Sequence, residues 1–333
     1  MKPFDIRQPL SAGLALLLLI LPFICNAYWL DVCVSIGLYA LLALSLNVIL
    51  GQAGIFHMGH AAFFAVGAYT TAILNTSFQW PILWTMPFAG AVAALFALIV
   101  ARPIIHLRGD YLLIVTIGIV EIVRIALLND VGGLTGGSNG IFGISRPTIF
   151  GFRIAKGTQF YYLVWGMVGV SLLLFHSLWR SRFGRALNYI KEDDIAAEGS
   201  GIHVSHYKLV AFVLGAFWAG MAGTVYAAKM TTIAPESFNF LESVIIFAVV
   251  ILSGGSHLGV LISAFLFIGL PELLREFSNA RMLIFGFAMM AMMIWRPQGI
   301  LPPRHRQYNT AGSLAKGTPP TAELASTSKE GTA

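Results

Sequence analysis

Long apolar runs separated by short polar joins occupy most of the chain. Stretches at roughly 11–29, 33–50, 61–78, 82–101, 110–128, 160–179, 208–229, 241–253, 258–275 and 280–295 approach the length of about 20 residues that a helix needs to cross a bilayer. Backbone groups in hydrocarbon must be satisfied within the spanning structure, and a barrel would show alternating segments of about ten residues instead of continuous runs. The pattern therefore predicts an all-α polytopic helical bundle of about ten spans. Two places could lower that count to about eight: the short run at 241–253, and the join at 51–60 (GQAGIFHMGH). Both suit a broken or re-entrant helix, because non-helical backbone at membrane depth is tolerated only when buried in protein or lining a cavity.

One polar interruption differs from the others. Residues 180–208 (RSRFGRALNYIKEDDIAAEGSGIHVSHYK) are charged and helix-compatible, and carry five of the 21 Lys and Arg and four of the 15 Asp and Glu. Lys and Arg favour the cytoplasmic side of spanning segments. They collect here, at the amino terminus (Lys2, Arg7), in the turn at 102–109 and toward the carboxyl end (Arg296, Arg304, Arg306, Lys316, Lys329). Fewer fall in the opposite joins, at Arg146, Arg153, Lys156, Lys229, Arg275 and Arg281. Both termini and the 180–208 loop are thus expected in the cytoplasm, in a multi-pass protein of the inner membrane. From Tyr308 onward small, polar and Pro residues dominate. This divides the chain into a transmembrane domain at 1–307 and a disordered cytoplasmic tail at 308–333.

Composition agrees with that class. Hydrophobic residues make up 57% and charged residues 11%, against roughly a quarter charged in soluble domains, and the mean hydropathy is +0.78. A soluble catalytic domain has nowhere to sit. The net charge of +6 reads as a topology signal, with no aromatic-interleaved basic patch for nucleic acid. Lys2 and Arg7 ahead of an apolar run allow a cleavable signal peptide, but Tyr28 and Trp29 at its end fit the interfacial aromatics of a retained helix. Cys25 and Cys33 read as a disulfide or as two apolar thiols.

Candidate chemistry is sparse. Residues 252–256 (LSGGS) resemble an ATPase signature, yet no G-x-x-x-x-G-K-[ST] phosphate loop exists in the chain, so they read as the end of a span and a turn. The segment 132–140 (GGLTGGSNG) could form a backbone anion nest; with Thr135, Gly136, Gly137 and Asn139 it reads as a tightly turned surface loop or as an external docking site. His57 and His60 stand three apart without a nearby carboxylate or cysteine, so a metal is not expected. Together with Asn47 and Gln52 they make 47–60 unusually polar for its depth, which fits either pathway lining or helix–helix hydrogen bonding. Glu121 and Arg124, on one helix face, read as a mutually neutralising intramembrane pair rather than a proton relay. Small residues at Ala61, Ala65 and Ala68, at Gly215, Ala219 and Gly223, and at Gly259 and Ser263 predict close helix packing. No clustered acid, base or metal site suggests an enzyme, so no catalytic residue and no cofactor are assigned.

Five blocks carry a specific resemblance: 46–69 (LNVILGQAGIFHMGHAAFFAVGAY), 107–124 (LRGDYLLIVTIGIVEIVR), 134–141 (LTGGSNGI), 182–228 (RFGRALNYIKEDDIAAEGSGIHVSHYKLVAFVLGAFWAGMAGTVYAA) and 295–301 (WRPQGIL). In that order they resemble the LivM-type permeases of branched-chain amino-acid ABC importers. The resemblance implies a pore shared with a second, LivH-type permease, two cytoplasmic ATPases that supply force, and a periplasmic solute-binding protein that delivers substrate. It also implies that the 192–204 segment couples to an ATPase, as a short helix from Asp193 to Val204 with Ala196 and Ala197 as its contact face, Glu198 near its end and Gly201 at the turn. Gly199 and Ser200 depart from the Ala and Met of that pattern. The same resemblance extends to importers of urea, short amides and aromatic acids. An ion-coupled secondary transporter remains the alternative class.

Overall fold

The computed structural model describes residues 21–301 except 24, 108, 131, 150–151, 155–156, 274–285, 287–289, 291–293 and 295–298. The expected first span at 11–29 lies largely outside the described residues, as do most of the last at 280–295 and the whole tail. Among the described residues, six helices are long and apolar enough to cross a membrane. They are α1 (Ala27–Asn47), extended by a π-helical turn at Val48–Gln52, then α2 (His60–Phe78), α3 (Ile82–Ile104), α4 (Asp110–Leu128), α5 (Gly157–Arg180) and, after the polar loop, α8 (Val204–Met230). Within the loop lie α6 (Arg182–Glu192) and α7 (Asp194–Gly199). Two shorter apolar helices follow: α9 (Phe240–Ser253), and α10 (His257–Ala264), which continues through a π-helical turn at Phe265–Gly269 into α11 (Leu270–Leu273). The chain is a multi-pass helical membrane protein. Six of the ten expected spans thus stand as full-length helices, while those expected at 241–253 and 258–275 form the shorter pair.

The centre of the bundle is α1. It is apolar all round, and from Leu38 to Asn47 only Tyr39 escapes full burial, as expected of a helix with no lipid or water face. Beside it α8 packs against α2 and α3 closely enough for backbones to touch. A Cβ placed on Gly67 of α2 would overlap the backbone of Gly220 in α8; one on Gly220 would lie 2.6 Å from the Ala93 Cβ and 2.8 Å from the Ala89 carbonyl of α3. Lipid is as apolar as leucine, so small residues supply the contact that hydrophobicity cannot. Gly215 and Gly223 take part as their spacing suggested, against the Ser45 carbonyl and against Phe64 and Ala68. By contrast α3, α4 and α5 turn large apolar side chains outward, among them Trp84, Ile99, Ile114, Ile122 and Leu173.

Helix direction separates two ends. Val204 of α8 adjoins the polar loop, and the last turn of α8 brings the Lys229 ammonium to the Asp31 carboxylate (3.1 Å) near the start of α1. With 27 residues, α8 separates the two ends by about 40 Å. At the end away from the loop, short strands β1 (Ile141–Phe142) and β4 (Thr232–Ile233) pair antiparallel, as do β2 (Thr148–Ile149) and β3 (Phe152–Arg153).

Candidate functional site

Four structural features bear on function, beginning with a break in the central helix. After Gln52 the backbone leaves helical geometry until His60, and Asn47, Gln52, His57 and His60 are all fully buried there while Phe56 between them is exposed. A second interruption meets it. The Ser253–Ser256 turn between α9 and α10 comes alongside, so that Asn47 Nδ2 donates to the Gly255 carbonyl (3.3 Å) and Gln52 Nε2 lies 3.3 Å from His257 Nε2. Residues 252–256 end one helix and start the next, with the Ser256 hydroxyl capping α10 by accepting from Gly259 N (3.0 Å).

The two histidines stand edge to face, ring centroids 5.6 Å apart. Ser45 Oγ donates to the Leu42 carbonyl (2.6 Å), so its contact with His60 Nε2 (2.7 Å) requires the hydrogen on that nitrogen. Gly59 N donates to His57 Nδ1 (3.0 Å), which places the His57 hydrogen on Nε2. Asn47 Oδ1, Gln52 Oε1, His57 Nε2 and His60 Nδ1 are buried with no hydrogen-bond partner among the described residues. This leaves three idle acceptors and one idle donor among the four residues; the two histidines adjoin each other, while Asn47 and Gln52 turn toward Gly255 and His257. Buried polar atoms without partners are uncommon and mark wet or functional places.

The second feature is the polar loop, which is built as two helices. Ser181 caps α6, accepting from Gly184 N (3.3 Å), and α6 is amphipathic, burying Gly184, Ala186, Leu187 and Ile190. Lys191 reaches the first break: its Nζ donates to the Gly51 carbonyl at 2.8 Å, and partial burial holds its ammonium below the usual lysine range. Asp193 caps α7 by accepting from Ile195 N (2.8 Å) and Ala196 N (3.1 Å), and Lys208 of α8 pairs with Asp194 (2.5 Å). The helix expected from Asp193 to Val204 is shorter: α7 stops at Gly199, and Gly201, at φ +82°, turns the chain toward α8. The two alanines do not share a face. Ala197 is 3% exposed and packs into this chain's own core, whereas Ala196 and Glu198 are exposed. A cavity of about 320 Å³ is lined by Glu198, Gly201 and Ile202–Ser205.

At the opposite end lie the third features, a loop and an ion pair. The 132–140 segment folds around an anion of its own: Asp130 Oδ1 accepts from Thr135 N (2.7 Å), Thr135 Oγ1 (2.9 Å) and Gly136 N (3.0 Å). The expected nest is filled by this chain, and Thr135 is buried while Gly136 and Asn139 stay exposed and Gly137 half-exposed. Glu121 and Arg124 do pair, at 2.8 Å, in the C-terminal half of α4 and with side chains 36% and 24% exposed. Exposed Glu236 joins them at 3.6 Å.

The fourth feature escaped the sequence reading. A cavity of about 290 Å³ between α1, α2, α8, α9 and the loop joining the last two is lined by Ser35, Leu38, Tyr39, Leu42, Phe64, Tyr226, Lys229, Met230, Ser237 and Glu242. Lys229 Nζ donates to Ser35 Oγ (2.8 Å) and pairs with Asp31, while Tyr39 donates to Glu242 Oε2 (2.8 Å). A neighbouring cavity of about 180 Å³ shares Lys229 and adds Asp31 and Arg146. Lys229 and Glu242 sit at the ends of apolar runs, where a charge reads as an interfacial flank; only the fold shows that both face one enclosure.

Residues 28–295 match the family described as the permease component of the branched-chain amino acid transport system. The chain is 39% identical over 320 residues to the high-affinity branched-chain amino acid transport system permease protein LivM of Salmonella typhimurium, covering 89% of this chain and 75% of that protein. It is 38% identical, with the same coverage, to LivM of Escherichia coli K12. Similarity extends at 25% identity over 289 residues to the LivH permease protein of E. coli K12, covering 79% of this chain and 91% of that one. No solved structure matches.

Proposed function

The chain belongs to the branched-chain amino acid transport permease family, and from that premise we propose that it forms half of the translocation pathway of an ABC importer for branched-chain or similar hydrophobic amino acids. A LivH-type permease supplies the other half, two cytoplasmic ATPases drive the cycle and a periplasmic solute-binding protein delivers the substrate. The chain itself hydrolyses nothing. It lies in a bacterial inner membrane with both termini and the 180–208 loop in the cytoplasm. The observation that carries this reading is the identity to LivM across nearly nine-tenths of the chain.

The coupling role falls to α6 and α7. Exposed Ala196 and Glu198, with the Gly201 turn, offer the surface that an ATPase groove receives. Buried Ala197 and the Asp194–Lys208 pair fix that surface to the bundle, so that displacement of α7 moves α8. Lys191 links the same unit to the break at Gly51. Asn47, Gln52, His57 and His60 border the pathway where the two helix interruptions meet. The Glu121–Arg124–Glu236 cluster is structural, and exposed Asn139 and Gly136 belong to the face that meets the binding protein.

Reconstitution tests the reading. Proteoliposomes holding this chain, a LivH-type partner and both ATPases should take up leucine only with internal ATP and an external leucine-loaded binding protein. Uptake by this chain alone, driven by a proton or sodium gradient, would place it among secondary transporters.

A further inference from the structure

We propose that the 290 Å³ cavity lined by Lys229 and Glu242 is a binding site for a zwitterionic aliphatic α-amino acid on its way through the permease. The Lys229 ammonium receives the substrate carboxylate, Glu242 receives the substrate ammonium, and Leu38, Leu42 and Met230 face its side chain. The inference rests on the transport reading above and adds the chemistry of recognition.

Placement favours it. Ser35, Tyr39 and Leu42 lie about 12–22 Å along α1 from its start at Ala27, so the cavity lies below the end expected to face the binding protein and well short of the helix break. Both charges come from helix ends and face an interior, a setting in which charged side chains mark solute paths. Here a cation and an anion line one enclosure without pairing to each other. Lys229 instead leans on Asp31, whose side chain is 68% exposed, and on the Ser35 hydroxyl. A salt bridge to so exposed a carboxylate is weak and is readily exchanged for an incoming one. Glu242 is held at Oε2 by the Tyr39 hydroxyl, which fixes the carboxylate in the wall and leaves Oε1 to accept from a ligand. Opposite charges beside a strip of apolar side chains match an α-amino acid with a hydrocarbon side chain. The volume suits one small solute, near the lower bound of about 300 Å³ for ligand pockets. A neutral amide or urea would leave both charges unanswered, and an aromatic acid without an amine would leave Glu242 unpaired, so the cavity also separates the branched-chain reading from those relatives.

The test uses the assembled importer in proteoliposomes with leucine-loaded binding protein. Glu242→Gln and Lys229→Met should each lower leucine uptake at least about tenfold, as expected for losing one charge-assisted contact, while the complex stays intact and loaded binding protein still stimulates ATP hydrolysis. Ser237→Trp, on the loop between α8 and α9, fills the cavity without touching a charge and should block uptake to a similar degree; it decides the matter should a charge variant fail to assemble. Uptake at the wild-type rate in any of the three assembled variants would overturn the site. Failure of the unmodified complex to move leucine would instead defeat the transport reading on which the site depends.

Discussion

Asp130 stabilises the turn after α4 as an anion. Its Oδ1 accepts from the Thr135 hydroxyl and amide and from the Gly136 amide, and these hydrogen bonds hold its carboxyl below the usual carboxylate range. A depressed carboxylate pKa stabilises the fold at pH values above the unfolded value of about 4. That contribution is lost as pH falls through the lower, folded value. Hydrogen exchange should therefore show the amides of Thr135 and Gly136 protected at neutral pH in the wild type and exchanging several-fold faster in Asp130→Ala, which also forces alanine into the left-handed φ of 47°. Equal exchange rates at neutral pH in the two proteins would remove Asp130 from this role. At the residue scale the sequence was least informative. Glycine spacing pointed to an anion-holding loop, yet the anion came from a residue two positions before it, and Lys229 and Glu242 looked like flanks because facing one cavity is a property of three-dimensional packing. Glu121 and Arg124 were found because an i, i+3 pair is local; Glu236, which joins them, was not, because it is over a hundred residues away in the chain.

Elements were more legible. Six runs of hydrophobic residues became six long helices because spanning length is set by the bilayer and hydropathy reports it directly. The interruptions at 51–60 and 252–256 were legible as glycine-rich, polar departures from that pattern, but their meeting was not. The polar loop also read correctly as ordered, while its division was missed: Asp193, read as part of one helix, is the cap that separates α6 from α7. The bond from Lys191 to the Gly51 carbonyl joins loop and break across 140 positions. If that bond carries motion from the ATPase to the pathway, Lys191→Met, which keeps most of the aliphatic stem, should cut leucine uptake by about tenfold with the ATPases still bound, and Lys191→Arg should restore part of it. Normal uptake in Lys191→Met would show that the bond only fastens α6 to the bundle.

Across the whole molecule the two ends differ in what they gather. One end gathers the small strands, the Asp130 turn and the charged cavity. The other gathers α6, α7 and both helix interruptions, with α8 running its full length between them. In the proposed importer this polarity would let force be received at one end and solute be admitted at the other. Site-directed crosslinking in the assembled importer tests that claim most directly, with a short bifunctional reagent and single cysteines placed at Ala196 and at Asn139 in a chain whose Cys25 and Cys33 have been replaced. Crosslinks from position 196 to an ATPase, and from position 139 only to the binding protein, are the expected result; an ATPase crosslink from position 139 with none from position 196 would contradict the account.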